Sequence, residues 1–212
     1  MSETDQPAGA LRLSARDLLC VRGDREVFRD VSFDLMSGDM LALVGPNGSG
    51  KSSLLRQVAG LLDVPAGEIV LEGAGAEARL SDHALYAGHL DAVKAPLTVL
   101  ENLRFWADFY GAPRARISPA LEGFELDHLA TLPAGVLSAG QKRRLGLARL
   151  LLADRALWLL DEPTVSLDAR TIGLLGQFMS AHLEKGGLIL AATHVDLGIS
   201  AARSLDLGGL RA

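Results

Sequence analysis

Two periods of apolar residues run through this chain. Val31-Ser32-Phe33-Asp34-Leu35 alternates strictly, as a half-buried strand does, and Leu11 to Val21, mixed apolar and charged, reads as an edge strand. Gly23-Asp24-Arg25-Glu26 is the turn between them, and Ser37-Gly38-Asp39 turns the chain into Leu41-Ala42-Leu43-Val44. That unbroken run, Leu157 to Leu160, and Leu188 to Ala192 have the pattern of strands buried on both faces; Glu68-Ile69-Val70-Leu71 is a further strand after the Pro65-Ala66-Gly67 turn. Helical spacing appears at Leu54 to Ala59, closed by Gly60 in the left-handed position glycine favours. It returns at Leu100, Leu103, Trp106, Ala107 and Tyr110, with Thr98 as cap, Glu101 at the capping-box position and Gly111-Ala112-Pro113 as the stop. Leu121 to Leu132, Gln141 to about Leu152, and Arg170 to Lys185 complete the predicted helices, and Ala74 to Ala78 is read as loop.

Strands and helices that alternate in this way predict an α/β protein with a mainly parallel, three-layer core, preceded by an antiparallel β layer. The helical stretch from about residue 90 to about 150 is expected to be a subdomain inserted into that core. Residues 11–212 then form one domain, and the polar stretch 1–10 is expected to be a disordered tail without the apolar centre of a signal peptide.

Composition narrows this little. A length of 212 residues and an apolar share of 49% suffice for one sizeable core. The net charge of −5, without a long basic run, weakens nucleic acid or an anionic membrane surface as a partner. Cys20 is the one cysteine, which excludes an intrachain disulfide and fits a reducing compartment. The most apolar stretch, Leu145 to Leu160, is broken by Arg149, Asp154 and Arg155, so no bilayer span is expected.

The chemistry lies between the elements. Gly45-Pro46-Asn47-Gly48-Ser49-Gly50-Lys51-Ser52-Ser53 joins a buried strand to a helix, the context that the P-loop pattern requires. Glycines let backbone N–H groups curl around a phosphate, and the helix adds its positive end. Lys51 can reach the β- and γ-phosphates, and the Ser52 hydroxyl can ligate Mg²⁺. Asp161 and Glu162 follow the buried strand Leu157–Leu160, at the end of a parallel sheet where ligands gather. Asp161 can hold Mg²⁺ opposite Ser52, and Glu162 can accept a proton from an attacking water. Leu137-Ser138-Ala139-Gly140-Gln141 opens a helix. On its own it reads as a simple N-cap, but it also fits a second anion site, and two chains placed head to tail would have a use for one.

In this order and wording, Gly45–Ser52, Leu137–Gln141, Leu160–Pro163, Ser166-Leu167-Asp168 and Thr193-His194 closely resemble the nucleotide-binding subunit of ABC transporters, over about Leu11 to Leu197. The resemblance implies a P-loop NTPase core with a helical insertion, ATP and Mg²⁺ as cofactors, and ATP hydrolysis. Walker A falls on Gly45–Ser52, the signature on Leu137–Gln141, Walker B on Leu157–Asp161, the catalytic glutamate on Glu162, the D-loop on Ser166–Asp168 and the switch histidine on His194. It further implies an ATP-sandwich dimer of two copies, each signature acting on the other chain's ATP, docked through integral membrane subunits.

Three departures from the family pattern stand out. Arg22 occupies the place of the usual adenine-stacking aromatic and can stack its guanidinium instead, which puts base selectivity in doubt. Ala139 replaces the commoner glycine, at little cost if φ is negative there. His89, in Tyr86-Ala87-Gly88-His89, replaces the glutamine that contacts metal or attacking water, and is expected at the metal site. With Glu101-Asn102-Leu103-Arg104-Phe105-Trp106 and the short length, His89 is similar to one group, the ATP-binding subunit of the cytochrome c maturation haem exporter. That group implies a peripheral protein on the cytoplasmic face of the inner membrane, powering haem export or release of a haem-loaded chaperone. His83, His89, His128 and His182 are scattered singly and there is no Cys-x-x-Cys-His, so haem is met only through partners. Another ABC exporter, a non-transport ABC protein and an ATP-holding regulatory module are the competing classes.

Overall fold

The computed structural model describes residues 10–75, 79–195, 197–199 and 202–209. The expected tail at 1–10 and the loop at Ala74–Ala78 therefore lie largely outside the described residues. The chain runs β1 (Arg12–Arg22), β2 (Arg25–Met36), β3 (Met40–Val44), α1 (Lys51–Val58), β4 (Glu68–Glu72), α2 (Leu80–His83) and β5 (Ala84–Ala87). It continues α3 (Val99–Tyr110), α4 (Ile117–Gly123), α5 (Ala139–Ala148), β6 (Leu157–Asp161), α6 (Ala169–Glu184), β7 (Leu188–Ala192) and β8 (Ala202–Asp206).

Two sheets result. β2-β1-β4 is antiparallel, and β5-β6-β7-β3-β8 is parallel throughout. β1 is the centre of the first sheet rather than the expected edge. Its charged residues misled because Arg12 and Arg16 pair across the strand with Asp34 of β2, at 2.8 and 2.7 Å. The turn to β2 is also tighter than expected: only Gly23 and Asp24 lie outside the strands, with Gly23 at φ 60°.

The parallel sheet carries one apolar layer on each face. Leu54, Leu55 and Val58 of α1 pack with Leu43, Leu159 and Leu190 and with the inner face of the antiparallel sheet. Leu103, Leu121, Leu145 and Met179, from four different helices, pack with Trp158, Leu160, Ile189 and Ala191 on the other. β6 and β7 are buried along their whole length, which explains their unbroken apolar runs. Trp158 stacks on His182 with ring centroids 4.0 Å apart, and a His182 ring nitrogen meets the Ala156 carbonyl at 3.0 Å. Burial pushes the His182 imidazole below its ordinary pKa, as suits a structural histidine.

The helices differ from expectation in detail. α3 starts and stops as read, with the Thr98–Glu101 capping box formed and Gly111 in the left-handed region. The helix expected over Leu121–Leu132 instead begins at Ile117 and ends at Gly123, followed by a 3₁₀ turn at Asp127–Leu129. Pro119 is tolerated in its first turn, and Glu125 at φ 55° breaks the helical path. α5 begins at Ala139 and gives way to a 3₁₀ turn at Arg149–Leu151. β5 and β8 were not read from the sequence; both are short and lie at the two edges of the sheet, and β8 carries little apolar pattern.

Candidate functional site

The loop between β3 and α1 is a glycine-built cradle. Gly45, Gly48 and Gly50 have φ of 128°, 78° and 104°. A Cβ on Gly50 would lie 2.6 Å from a ring carbon of Phe28, so the loop closes directly onto the antiparallel sheet. Gly50 caps α1 without a side chain, leaving the positive helix end facing the loop. Lys51 is buried and bends back over it, donating to the carbonyls of Gly45 (2.7 Å) and Pro46 (3.2 Å). The Ser49 hydroxyl, buried in the same loop, has no hydrogen-bond partner among the described residues. Arg22, Val27, Asn47, Lys51, Ser52 and Glu162 are among the residues that line the adjoining cleft of about 460 Å³.

The end of β6 brings two carboxylates beside this cleft, and the residues after β7 add His194. Asp161 is only 1% exposed, and both its oxygens are occupied. The Ser52 hydroxyl donates to Oδ1 at 2.8 Å, and the Tyr86 hydroxyl donates to Oδ2 at 3.1 Å. Arg56 of α1 donates to the Tyr86 oxygen at 3.4 Å. Burial raises the pKa of the Tyr86 phenol, which keeps its proton available for Asp161. Glu162 leaves the strand in the left-handed region, at φ 49°, with its N–H donated to Ala192 at 2.9 Å. Its Oε1 lies 3.3 Å from Nε2 of the half-exposed His194. Oxygen donors of this kind, one hydroxyl and one carboxylate beside a phosphate cradle, fit Mg²⁺, which keeps waters and takes few protein ligands.

The remaining predicted residues fall outside that cleft. Ser138 caps α5, its hydroxyl accepting the Gln141 N–H at 3.2 Å while the Gln141 side chain accepts the Ser138 N–H at 2.9 Å. Leu137 is buried under the cap; Ser138 and Ala139 are exposed. Ala139 has negative φ, so the departure from glycine carries no strain, whereas a Cβ on Gly140 would meet the Ser166 carbonyl at 2.9 Å. Ser166 itself is left-handed at φ 66°; Leu167 N–H bonds Thr164, and Asp168 caps α6 by accepting the Thr171 N–H at 2.8 Å. That N–H holds the Asp168 carboxyl below its usual pKa. None of Leu137–Gln141 lines the cleft of its own chain. His89 is not brought to it either. It is exposed and lines a separate hollow of about 490 Å³ with Leu61, Leu90, Trp106, Phe109 and Tyr110. The contact to the Asp161 carboxylate comes from Tyr86, three residues earlier, because β5 points alternate side chains to opposite faces and ends before His89.

The model of the family described as ABC transporter matches residues 28–165. The chain belongs to the ABC transporter family. The cytochrome c biogenesis ATP-binding export protein CcmA of Bradyrhizobium diazoefficiens is 52% identical over 94% of this chain and 100% of its own length. The protein of that name from Nitrobacter winogradskyi is 53% identical over 94% and 99%. Among solved structures, a putative ABC transporter ATP-binding protein from Pyrococcus furiosus superposes with a TM-score of 0.78 at 27% identity, covering 92% of this chain and 97% of that one. The chain is thus an ABC-type ATPase.

Tyr86 and Arg56 were missed as site residues; Tyr86 stands in the quoted stretch, but no local pattern announces a partner 75 residues away. Replacing Tyr86 by Phe should leave one buried Asp161 oxygen unsatisfied. Unfolding by urea is expected to show a loss of about 1–3 kcal/mol, the cost of leaving a buried acceptor unsatisfied. A change below about 0.5 kcal/mol, within the usual scatter of surface substitutions, would show that the bond is not formed.

Proposed function

We propose that this chain is the ATP-hydrolysing subunit of a cytochrome c biogenesis exporter, powering haem export or the release of a haem-loaded chaperone by membrane partners. One observation carries the assignment: identity above 50% over 94% of the chain with proteins of that name.

The chemistry follows from the site. ATP enters with its phosphates in the Gly45–Ser53 loop, against the N-terminus of α1. Lys51 can exchange its two carbonyl bonds for β- and γ-phosphate oxygens. Ser52 and Asp161 would hold Mg²⁺, which would supply positive charge to neutralise the phosphates. Glu162 accepts the proton of the attacking water, and His194, in contact with its carboxylate, orients it and faces the γ-phosphate. Arg22, at the rim of the cleft, stacks on the base.

A second copy completes the site. The N–H groups of Ala139 and Gly140 have no hydrogen-bond partner among the described residues, and they stand at an exposed helix start. Such donors suit a γ-phosphate presented by another chain, head to tail. Ser166–Asp168 lies against Gly140 and forms part of the same face.

The membrane partner seats on the helical subdomain. Phe105 and Phe109 are 38% and 68% exposed and stack on each other, and Leu90, 82% exposed, rims the hollow beside them. Clustered apolar exposure of this kind marks an interface. Among the described residues no helix is long and apolar enough to cross a membrane. Docked on that membrane partner, the chain would sit peripherally at the cytoplasmic face of the inner membrane.

Two outcomes are expected. Glu162→Gln should bind ATP yet hydrolyse it on the order of 10²–10⁴-fold more slowly, as loss of a general base requires; phosphate release at the native rate would refute the role of Glu162. Phe105→Glu and Phe109→Glu should keep ATP binding and lose co-purification with membrane subunits. Retention of those subunits by both variants would remove the docking assignment.

A further inference from the structure

Arg143 is the most fully committed side chain near the site, and the chemistry described so far makes no use of it. It sits in α5, two residues after Gln141, and is 5% exposed. A guanidinium has five N–H donors, and here all five are used. Nε donates to the Pro163 carbonyl (3.2 Å); Nη1 donates to the Gly88 carbonyl (2.9 Å) and Asp91 Oδ1 (3.0 Å). Nη2 donates to the carbonyls of Asp161 (3.1 Å) and Glu162 (2.6 Å). Three consecutive carbonyls, 161 to 163, therefore converge on one buried cation. Its neighbours do different work: Arg144 reaches Phe124 and the Glu125 carboxylate, and Arg149 bonds Gly146 and lies over the Trp106 ring.

The middle of those three carbonyls belongs to Glu162, a non-glycine residue with a left-handed backbone. A left-handed glutamate is sterically disfavoured, and it persists only where its surroundings hold it. Without a shared donor, three carbonyls aimed at one buried point would repel each other and lack partners. Lysine cannot substitute, since its three donors radiate from a single atom and cannot span four carbonyls and a carboxylate. The same guanidinium fastens Gly88 and Asp91, the segment that leaves β5 for the helical subdomain. That segment approaches α5 closely: a Cβ on Gly146 would lie 2.9 Å from the Asp91 carbonyl.

We propose that Arg143 is a positioning residue for hydrolysis, locking the left-handed turn that aims Glu162 and coupling it rigidly to the helix that carries Ser138–Gln141. The inference rests on Glu162 being the general base. In a head-to-tail pair it links each chain's two half-sites. The helix that grips the partner's nucleotide is bolted to the carboxylate that acts on its own, so movement of α5 on docking reaches Glu162 through one side chain.

The test is a double-mutant cycle in the complete transporter complex. Arg143→Lys and Arg143→Gln are each expected to lower kcat by about tenfold or more, the scale of a slightly misplaced catalytic group, with ATP affinity within about twofold of native. Combined with Glu162→Gln, either should add no further loss, because its effect runs through Glu162. Asp91→Asn keeps the four carbonyl bonds and should retain kcat within about threefold. A native kcat in both Arg143 variants overturns the proposal. So does a loss that multiplies with that of Glu162→Gln, or an Asp91→Asn loss equal to that of Arg143→Lys. Loss of ATP binding in both Arg143 variants would make Arg143 a folding residue and equally overturn it. Native hydrolysis by Glu162→Gln alone would instead refute the underlying role of Glu162.

Discussion

The site depends on two strands that touch no water. β6 and β7 lie side by side, buried on both faces, and end at the same level, Asp161 opposite Ala192. Their interior positions can hold only apolar side chains, so every polar group they deliver must appear at the C-terminal edge. Asp161 is the last residue inside that edge and Glu162 the first beyond it. A buried carboxylate needs donors, and the two that Asp161 finds come from the phosphate loop (Ser52) and from the neighbouring strand (Tyr86). The bond from Ser52 thereby closes the loop onto the sheet, and the groups that would share a cation are preset before any nucleotide arrives.

From the same edge the chain must turn sharply. Glu162 does so with a left-handed backbone, its N–H held by β7 and its carbonyl by Arg143. The residue that would act as base is thus clamped from the sheet on one side and from α5 on the other. α5 begins at the exposed cap Ser138, so in the proposed arrangement one helix would serve both the chain's own cleft and the surface offered to a second copy.

Much of this was legible because the chemistry demands particular residues at contiguous positions. A phosphate cradle needs its glycines, lysine and serine in one loop, and a catalytic pair needs its carboxylates at the end of an apolar run. The parallel core followed from unbroken runs at β3, β6 and β7, where burial on both faces leaves a plain signature. What the sequence hid has equally physical causes. β1 reads as an edge because its outward charges are satisfied by a neighbouring strand rather than by water. β8, with the sequence Ala-Arg-Ser-Leu-Asp, is mostly exposed and offers no apolar run. Tyr86 and Arg143 reach partners in other elements, and hydrogen bonds across such separations leave no periodicity. His89 drew attention by standing where the family has a glutamine, yet the structure turns it into the hollow beside α3 and gives the carboxylate to Tyr86.

The central claim is that the nucleotide site is built from two chains, with α5 of one closing the cleft of the other. Sedimentation velocity on the hydrolysis-slowed Glu162→Gln protein, with and without Mg-ATP, tests it most directly when Ser138→Arg is placed in the same background. The account predicts a shift from monomer to dimer on addition of Mg-ATP. It also predicts no shift in the Ser138→Arg protein, whose bulk and charge block the helix start while its own cleft still binds ATP. A dimer that forms equally well with Ser138→Arg, or that forms without nucleotide, would contradict it.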